Sequence, residues 1–441
     1  MHQIGYSLIA SVAALALTSC GGGDRELSSR SHPARFVYVV NSGSNTISGY
    51  AINRDTGALS AVSGSPFPAG SFPRSLTMHP DGHHLYVSNV GDNTISAYTS
   101  DANSGALAPV SGSPFAVMPF TTPAPGSLSP VVIDPSGDLA IVGNAAAPLD
   151  GNSQPRNLTM WHIDATTGAL APVNGSPFST SAVAPLELAF DPTGHFVYAW
   201  NEFDSAGGAR SAIASFAVDS AAGTLTAVSG SPFVLQAFGT LFFAPDTRYA
   251  FMPLSVNRAD GIESYVLDRA SGAVTLGATI PFWPSSEVVE DPSSRFIYAT
   301  DRSVIAGFSI NSATGVITPI RGTPITVSSS ATLDLMAFDP AGRFLYVTAE
   351  EGIYAYAIGS SDGALASVPG SPFAVAHSPD RIVNRIRIDP SGSFGYVQTV
   401  SSSSPSALYA VSIDPTTGAL TAVPGSPFAV GVDPETIAFV N

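Results

Sequence analysis

The sequence of 441 residues contains no lysine and a single cysteine, Cys20. All 17 basic residues are arginines, they face 33 acidic residues, and the formal net charge is −16. Without lysine the chain cannot form a Schiff base. So few cations offer no basic face for the phosphates of nucleic acid, and one cysteine excludes a disulfide within the chain. We therefore expect no nucleic-acid partner and no Schiff-base chemistry.

Charge of either sign is scarce, since only 11% of the residues are charged, against about 25% in ordinary soluble domains. Hydrophobic residues make up 44% of the chain, and 41 Gly and 36 Pro are spread along it. No stretch after residue 34 combines a helical apolar period with helix caps. Short apolar runs between Gly, Pro, Ser and Asp are typical of strands and turns. This composition predicts an all-β protein.

The N-terminus reads as a targeting segment. Residues 4–17 form an apolar run that is too short to span a bilayer as a helix. It ends in Leu17-Thr18-Ser19-Cys20, which resembles a bacterial lipobox, in which the cysteine receives the lipid. We predict a lipoprotein signal peptide over residues 1–19, a lipidated Cys20 with a flexible tether over 20–34, and one folded domain over 35–441. The resemblance implies a bacterial cell-envelope protein, periplasmic or at the cell surface, held to a membrane by its lipid.

Three motifs recur in a fixed order along the folded region. One is Gly-Ser-Pro-Phe, another is a strand of the type Tyr-Val-x-Asn, and the third is an Asp-Pro-x-Gly turn; examples are Gly64 to Phe67, Tyr38 to Asn41 and Asp191 to Gly194. Seven steps from Phe36 to Phe394 give a period of about 51 residues. Each period contains four strand-like runs, which is typical of a propeller blade.

We predict a β-propeller of eight four-stranded blades. Seven blades are the alternative, if the weakest period, residues 241–277, is incomplete. The repeats start at a second strand, Phe36 to Val40, and end with a lone inner strand, Glu435 to Val440. The C-terminal strand should therefore join the first blade and close the ring without a covalent link.

The same motifs, together with Thr-Gly-Ala-Leu before each outer strand, resemble the lactonase-type propellers, which include 6-phosphogluconolactonase-like and YVTN-repeat proteins. For the enzymes of that family the resemblance implies an Arg at the start of an inner strand and a Glu sixteen residues later. Here Asn201-Glu202 matches the second half, but Leu186 stands where the Arg is expected. Arg74 occupies the equivalent place in another blade, where Val90 follows sixteen residues later.

The loops that share one rim of the propeller supply the candidate site. Glu202 is a candidate base, Arg74 and Arg210 are candidates to stabilise an anion, and His377 is a group that titrates near neutral pH. The other ligand-binding candidates on this rim are Arg156, Glu187, Asp204, Asp301, Glu350 and Arg381. We expect a mixed-charge mouth that needs no cofactor.

Two further groups lie outside this set. His79, His83 and His84 could hold a metal, but they belong to a turn on the opposite rim, and we expect a solvent-facing turn without a metal. Arg385 and Arg387 alternate along an inner strand and are expected to pair with a channel carboxylate such as Glu290.

Two functions remain open. The first is a membrane-anchored, monomeric binding protein whose rim takes a small molecule, a glycan or a protein. The second is a divergent lactone hydrolase that uses Glu202 with a nearby Arg. Whether the chain is an enzyme is not decided by its sequence.

Overall fold

The computed structural model describes residues 35–117, 128–144, 157–180, 184–205, 208–235, 241–254, 261–281, 287–301, 303–327, 333–375, 381–401 and 406–440. Within these ranges every regular element is a β-strand. None of the described segments is a helix that could cross a membrane. The all-β prediction is confirmed, whereas the predicted signal peptide and tether lie outside the described residues.

The first four blades follow one another along the chain. Blade 1 contains β1 (Phe36–Asn41), β2 (Thr46–Ile52), β3 (Leu59–Ala61) and β4 (Phe67–Pro68). Blade 2 contains β5 (Pro73–Met78), β6 (His84–Asn89), β7 (Thr94–Ser100), β8 (Leu107–Pro109) and β9 (Phe115–Ala116). Blade 3 contains β10 (Val132–Ile133), β11 (Leu139–Asn144), β12 (Asn157–Ile163), β13 (Leu170–Pro172) and β14 (Phe178–Ser179). Blade 4 contains β15 (Ala184–Phe190), β16 (Phe196–Ser205), β17 (Gly208–Asp219), β18 (Thr224–Ala227) and β19 (Phe233–Val234).

The remaining four blades complete the ring. Blade 5 contains β20 (Phe242–Phe243), β21 (Tyr249–Leu254), β22 (Gly261–Leu267) and β23 (Val274–Pro281). Blade 6 contains β24 (Glu287–Glu290), β25 (Phe296–Asp301), β26 (Val304–Ile310), β27 (Ile317–Pro319) and β28 (Ile325–Thr326). Blade 7 contains β29 (Leu333–Phe338), β30 (Phe344–Ala349), β31 (Gly352–Ile358) and β32 (Leu365–Ser367). Blade 8 contains β33 (Arg381–Ile388), β34 (Phe394–Ser401), β35 (Ala407–Ile413), β36 (Leu420–Ala422) and β37 (Phe428–Ala429), and the last strand is β38 (Pro434–Val440).

The ring closes as predicted. The C-terminal β38 pairs antiparallel with β1, with Ala438 opposite Tyr38, and becomes the inner strand of blade 1. Eight sheets are present, so the prediction of eight blades is confirmed and the seven-blade alternative is wrong. The weakest period forms the complete four-stranded blade 5.

The Gly-Ser-Pro-Phe motif forms a short fifth strand that the sequence did not predict. In blades 1, 2, 3, 4 and 8 its Phe begins a two-residue strand that pairs with the third strand of the same sheet, and in blade 6 the strand begins with Ile325. The preceding Ser fixes this return, since the Oγ of Ser65 accepts the N–H of Gly49 at 2.9 Å and the Oγ of Ser426 accepts that of Ala410 at 3.0 Å. Two residues are too few to show an alternating strand pattern, so the fifth strand could not be recognised.

The repeated Tyr and Gly hold neighbouring blades together. The buried Tyr346 hydroxyl in β30 donates to the carbonyl of Gly418 in blade 8 at 3.1 Å, and Tyr38 reaches Gly105 of blade 2 at 2.6 Å. Each such Gly has a positive φ and lies against an aromatic ring. A Cβ on Gly418 would lie 2.4 Å from Cδ1 of Phe344, so only glycine fits.

The apolar core is divided among the interfaces between blades. Eight buried clusters each combine residues of two neighbouring blades. In one cluster Phe67 of blade 1 packs with Leu76 and Leu85 of blade 2. Burying one such side chain contributes roughly 1.5–3 kcal/mol. The repeated Phe therefore fills the space between blades.

Candidate functional site

The inner strands surround a channel, and their two ends differ. In an antiparallel blade, the turns after the first and third strands lie on one face, and the loops after the second and outer strands lie on the other. The second face is the channel mouth, where the sequence places its candidates. Side chains are described for Arg74, Glu187, Asp301 and Glu350. Only the backbone is described for Glu202, Asp204, Arg210 and Arg381, and Cys20, Arg156 and His377 lie outside the described residues.

Two inner strands, β5 and β15, contain a β-bulge close to the channel mouth. In β5 the register with β6 shifts between Pro73 and Ser75, so Arg74 occupies the bulge. In β15 the shift lies between Pro185 and Glu187, which places Leu186 at the same position. The structural register therefore agrees with the sequence spacing that made Leu186 the counterpart of Arg74. Blade 4 carries its carboxylate one residue further, at Glu187.

Arg74 and Glu187 interact electrostatically in the mouth. Removal from water raises the pKa of Glu187 to about 8, and the positive charge of Arg74 opposes that rise. The two residues come from blades 2 and 4, so this interaction reaches past the short inner strand of blade 3. At neutral pH most Glu187 side chains carry a proton. The mouth thus combines a permanent cation with a carboxyl group that can donate or accept a hydrogen bond.

Blade 8 adds two arginines to the channel. Burial lowers the pKa of Arg385, whereas Glu287 of blade 6 and Glu435 of blade 1 raise it. Burial and the charge of Arg385 lower the pKa of Arg387 to about 10, and Glu287 again opposes the change. The Nη1 of Arg385 donates to the carbonyl of Glu435 at 2.9 Å, which ties blade 8 to blade 1.

The expected pairing of these arginines with Glu290 is wrong. Glu290 lies at the far end of β24, where burial and the charge of Asp246 raise its pKa to about 8. Its neighbouring charges are Asp246, Asp291 and Arg248, on the side of the turns between the first and second strands. Side chains along one strand alternate in direction, and Glu287 is the carboxylate that β24 directs toward the arginines.

An exposed aromatic ring stands beside Arg74. Phe72 is 52% exposed, directly before β5, and its φ of 52° is unusual for a residue with a bulky side chain. The conformation is held from both sides, because its N–H donates to Oδ1 of Asn45 at 2.7 Å and its carbonyl accepts the N–H of Val90 at 3.0 Å. The mouth therefore presents a fixed apolar surface two residues from a cation.

The other two described candidates lie at the ends of second strands. Glu350 is exposed in the turn between β30 and β31, and Asp301 is half-buried at the end of β25. At Glu202 the described backbone pairs with Ala184 on one side and Ser211 on the other, inside an extended hairpin. Sequence reasoning missed Glu287 and Glu435 as channel residues, although both stand at the start of inner strands.

The expectation of a solvent-facing histidine turn is wrong for two of its three members. His83 is exposed, but His79 and His84 retain only 6% and 4% of their accessible surface. The reason is the adjacent blade 3, because His79 lies against Gly137 and His84 lies against Gly168. The turn itself is at the surface, while its histidine rings are covered by the neighbouring blade.

Comparison with known proteins agrees with this architecture. Residues 29–122 match the family model described as Lactonase, 7-bladed beta-propeller. No curated protein is similar in sequence to the chain. The match covers about a fifth of the chain, and the eight blades seen here are one more than the family description states.

Solved structures similar to this one share its fold at low sequence identity. The periplasmic gluconolactonase PpgL of Pseudomonas aeruginosa is 17% identical, with a TM-score of 0.55 over 92% of this chain and 99% of that one. A candidate 6-phosphogluconolactonase of Bacteroides fragilis is 16% identical, with a TM-score of 0.54 over 93% and 98%. The dihydro-heme d1 dehydrogenase NirN is 14% identical, with a TM-score of 0.58 over 92% of this chain and 75% of that one. These similarities establish the propeller fold. They do not establish an activity, which has to be argued from the residues of the site.

Proposed function

We propose that this chain is a lactonase-like propeller of the bacterial cell envelope that binds a small polar molecule at its channel mouth. The observation that carries the proposal is the electrostatic interaction of Arg74 with Glu187, two half-buried ionisable groups that separate blades bring to the channel mouth. Such groups are costly to bury, so their presence at the mouth favours a binding site. They do not build the fold, since the repeated Tyr, Gly and Phe residues already hold the blades together.

The chemistry of the mouth favours a hydroxylated acid. A guanidinium at Arg74 binds a carboxylate with two parallel hydrogen bonds. Glu187, protonated at neutral pH, can donate to a hydroxyl group. The exposed ring of Phe72 offers an apolar surface for the C–H face of a sugar. We therefore favour a sugar acid or its lactone over a glycan or a protein as the ligand.

Hydrolysis of a lactone is the second candidate function. A carboxyl group with a pKa of about 8 exchanges its proton near neutral pH, which suits a general base or acid. In this reaction Glu187 would take a proton from water as the water oxygen attacks the lactone carbonyl, and Arg74 would stabilise the oxyanion. The ring C–O bond then breaks, and Glu187 returns the proton to the alcohol oxygen. Glu202 keeps the role of an alternative base.

Isothermal titration of the full chain in detergent tests the proposal, with gluconate, glucono-lactone and glucose as probes. We expect gluconate and the lactone to bind. Arg74→Leu should weaken the binding of gluconate by at least roughly 10- to 100-fold, because the carboxylate loses its charged hydrogen-bond donor. Arg54→Leu is the matched control, because Arg54 is exposed in a turn on the opposite face. Equal binding by both variants, or no binding of any probe, would contradict the proposal.

Glu187→Gln separates binding from hydrolysis. Glutamine keeps a donor and an acceptor where the protonated carboxyl stood, but it cannot take a proton from water. If the chain is a hydrolase that uses Glu187, this variant should bind the lactone and fail to open it. If the chain only binds, neither protein should open the lactone above the rate in buffer. Loss of turnover in Glu202→Gln alone would assign the base to Glu202.

The proposed anchor is lipid on Cys20, which the propeller itself does not require. Full-length protein expressed in a bacterium should sediment with membranes and be released by detergent. Cys20→Ser should leave the protein soluble or trapped as an unprocessed precursor. Wild-type protein recovered entirely in the soluble fraction would rule out the anchor. We further propose that the propeller acts as a monomer, which size-exclusion chromatography with light scattering tests directly.

A further inference from the structure

The turn between the first two strands of blade 2 departs from the repeat at three positions. In five other blades this turn begins with an Asp whose Oδ1 accepts the first N–H of the second strand, as Asp191 does for Phe196 at 2.7 Å. Blade 2 has His79 in place of that Asp, acquires Asp81 two residues later, and has His84 where Phe begins the strand in blade 4. The three changes bring two imidazoles to one carboxylate.

The carboxylate of Asp81 is held between the backbone and the two rings. Its Oδ1 accepts the N–H groups of His83 at 2.6 Å and His84 at 3.2 Å. Its Oδ2 lies 2.7 Å from Nδ1 of His84 and 3.0 Å from Nδ1 of His79. Two backbone N–H groups and two imidazole rings therefore converge on one carboxylate group.

The partners of His79 identify which ring nitrogen carries the proton. Its Nε2 lies 2.8 Å from the carbonyl of Gly137, which can only accept, so Nε2 is the donor. In neutral His79, Nδ1 then carries a lone pair, and the N–H of Asp81 approaches it at 3.2 Å. That lone pair also lies 3.0 Å from the negatively charged Oδ2 of Asp81. Two hydrogen-bond acceptors at this distance repel each other unless a cation lies between them.

We propose that Nδ1 of His79, a carboxylate oxygen of Asp81 and Nδ1 of His84 form a binding site for a divalent transition metal, with Zn²⁺ as the best match. The three ligand atoms lie within 4.8 Å of one another. Ligands at about 2.0–2.1 Å from one Zn²⁺ are separated by roughly 3 Å, close to the distances between the two rings and the carboxylate. Imidazole and carboxylate are ligands that zinc accepts.

The surroundings have further properties of a metal centre. A histidine that binds a metal usually donates its second N–H to a carbonyl or carboxylate, as His79 does to Gly137. Asp81 keeps 27% of its side-chain surface exposed, which gives the ion a path from solvent and a position for water. The site lies on the face opposite the channel mouth, and the inference is independent of the proposed ligand.

Titration of the metal-stripped full chain with Co²⁺ and then Zn²⁺ tests this inference. We expect one Co²⁺ per chain, with visible absorption of a four- or five-coordinate ion, and displacement by Zn²⁺. His84→Phe should weaken binding by more than roughly 100-fold, because it removes a direct ligand. Phenylalanine starts the same strand in blades 1, 4, 6, 7 and 8, so the variant should melt like the metal-free parent.

His83→Ala is the matched control, since His83 belongs to the same turn but is exposed and should leave the affinity unchanged. Asp81→Asn provides a second disruptive variant, in which the rings remain and the charge is lost. Absence of binding at millimolar Co²⁺, or equal binding by His84→Phe and the parent, would overturn the site. The cluster would then be an ion pair in which a proton, and not a metal, lies between His79 and Asp81.

Discussion

The outer and inner parts of the propeller follow different rules. In the outer part, the same contacts recur from blade to blade, such as Tyr346 to Gly418 and Tyr38 to Gly105. On the inner strands, one register position differs between blades. It lies opposite the residue two positions after the repeated Tyr of the second strand, and it is Ser75 in blade 2, Glu187 in blade 4, Glu287 in blade 6 and Arg385 in blade 8.

The difference shows which contacts stabilise the fold. Contacts between blades bury large apolar side chains and satisfy backbone carbonyls, so they are needed eight times. The inner strands need only backbone pairing and are free to carry charge. Substitution in the outer part should therefore change the free energy of unfolding, whereas substitution in the channel should change ligand affinity or the pH dependence of stability.

The largest expected effect comes from an outer contact. Phe344→Ala removes a ring that is 95% buried against Gly418 and leaves a cavity between blades 7 and 8. We expect the free energy of unfolding, measured with urea, to fall by about 3–5 kcal/mol. Leu276→Ala is the control, because Leu276 is 47% exposed and its loss should cost less than about 0.5 kcal/mol. Equal values for the two variants would remove the distinction between buried contacts and surface.

The channel should give a smaller effect that depends on pH. Glu187 has a folded pKa of about 8, above its ordinary value of 4.5, so between these values the folded state binds more protons than the unfolded state. Stability from this group is complete below pH 4.5 and is lost as the pH rises toward 8. The slope is at most about 1.4 kcal/mol per pH unit.

Glu187→Gln should flatten this decline, so that variant and parent differ least at pH 5 and most at pH 8. Thermal melting of both proteins at pH 5, 6, 7 and 8 measures the decline in stability. Glu290 has a similarly raised pKa and contributes its own decline, so Glu187→Gln with Glu290→Gln should be flatter than either single variant. Glu350→Gln removes an exposed carboxylate and should leave the slope unchanged. A parent whose stability rises from pH 5 to 8 would contradict the burial of both groups.

Sequence patterns predicted the repeated part well for a physical reason. A Tyr, a Gly and an apolar strand recur because every blade packs against its neighbour in the same way. For the same reason Leu186 could be aligned with Arg74 by spacing alone. The pairing of Arg74 with Glu187 could not be predicted, since it joins two blades that are not adjacent. The turn at His79 and His84 contains Pro80 and Gly82, which indicate a surface, and only the neighbouring blade reveals that both rings are covered.

The smallest expected effect is the loss of one tyrosine hydroxyl, which can be compared between two blades. Tyr346→Phe removes the donor to the carbonyl of Gly418, which we expect to cost about 1–2 kcal/mol. Tyr198, its counterpart in blade 4, has no hydrogen-bond partner for its hydroxyl among the described residues, because Ser215 donates to Gly272 at 2.6 Å in its place. Tyr198→Phe should therefore change the free energy of unfolding by less than about 0.5 kcal/mol. If both variants lose the same stability, the hydroxyl contributes through packing, and the carbonyl of each Gly does not depend on its donor.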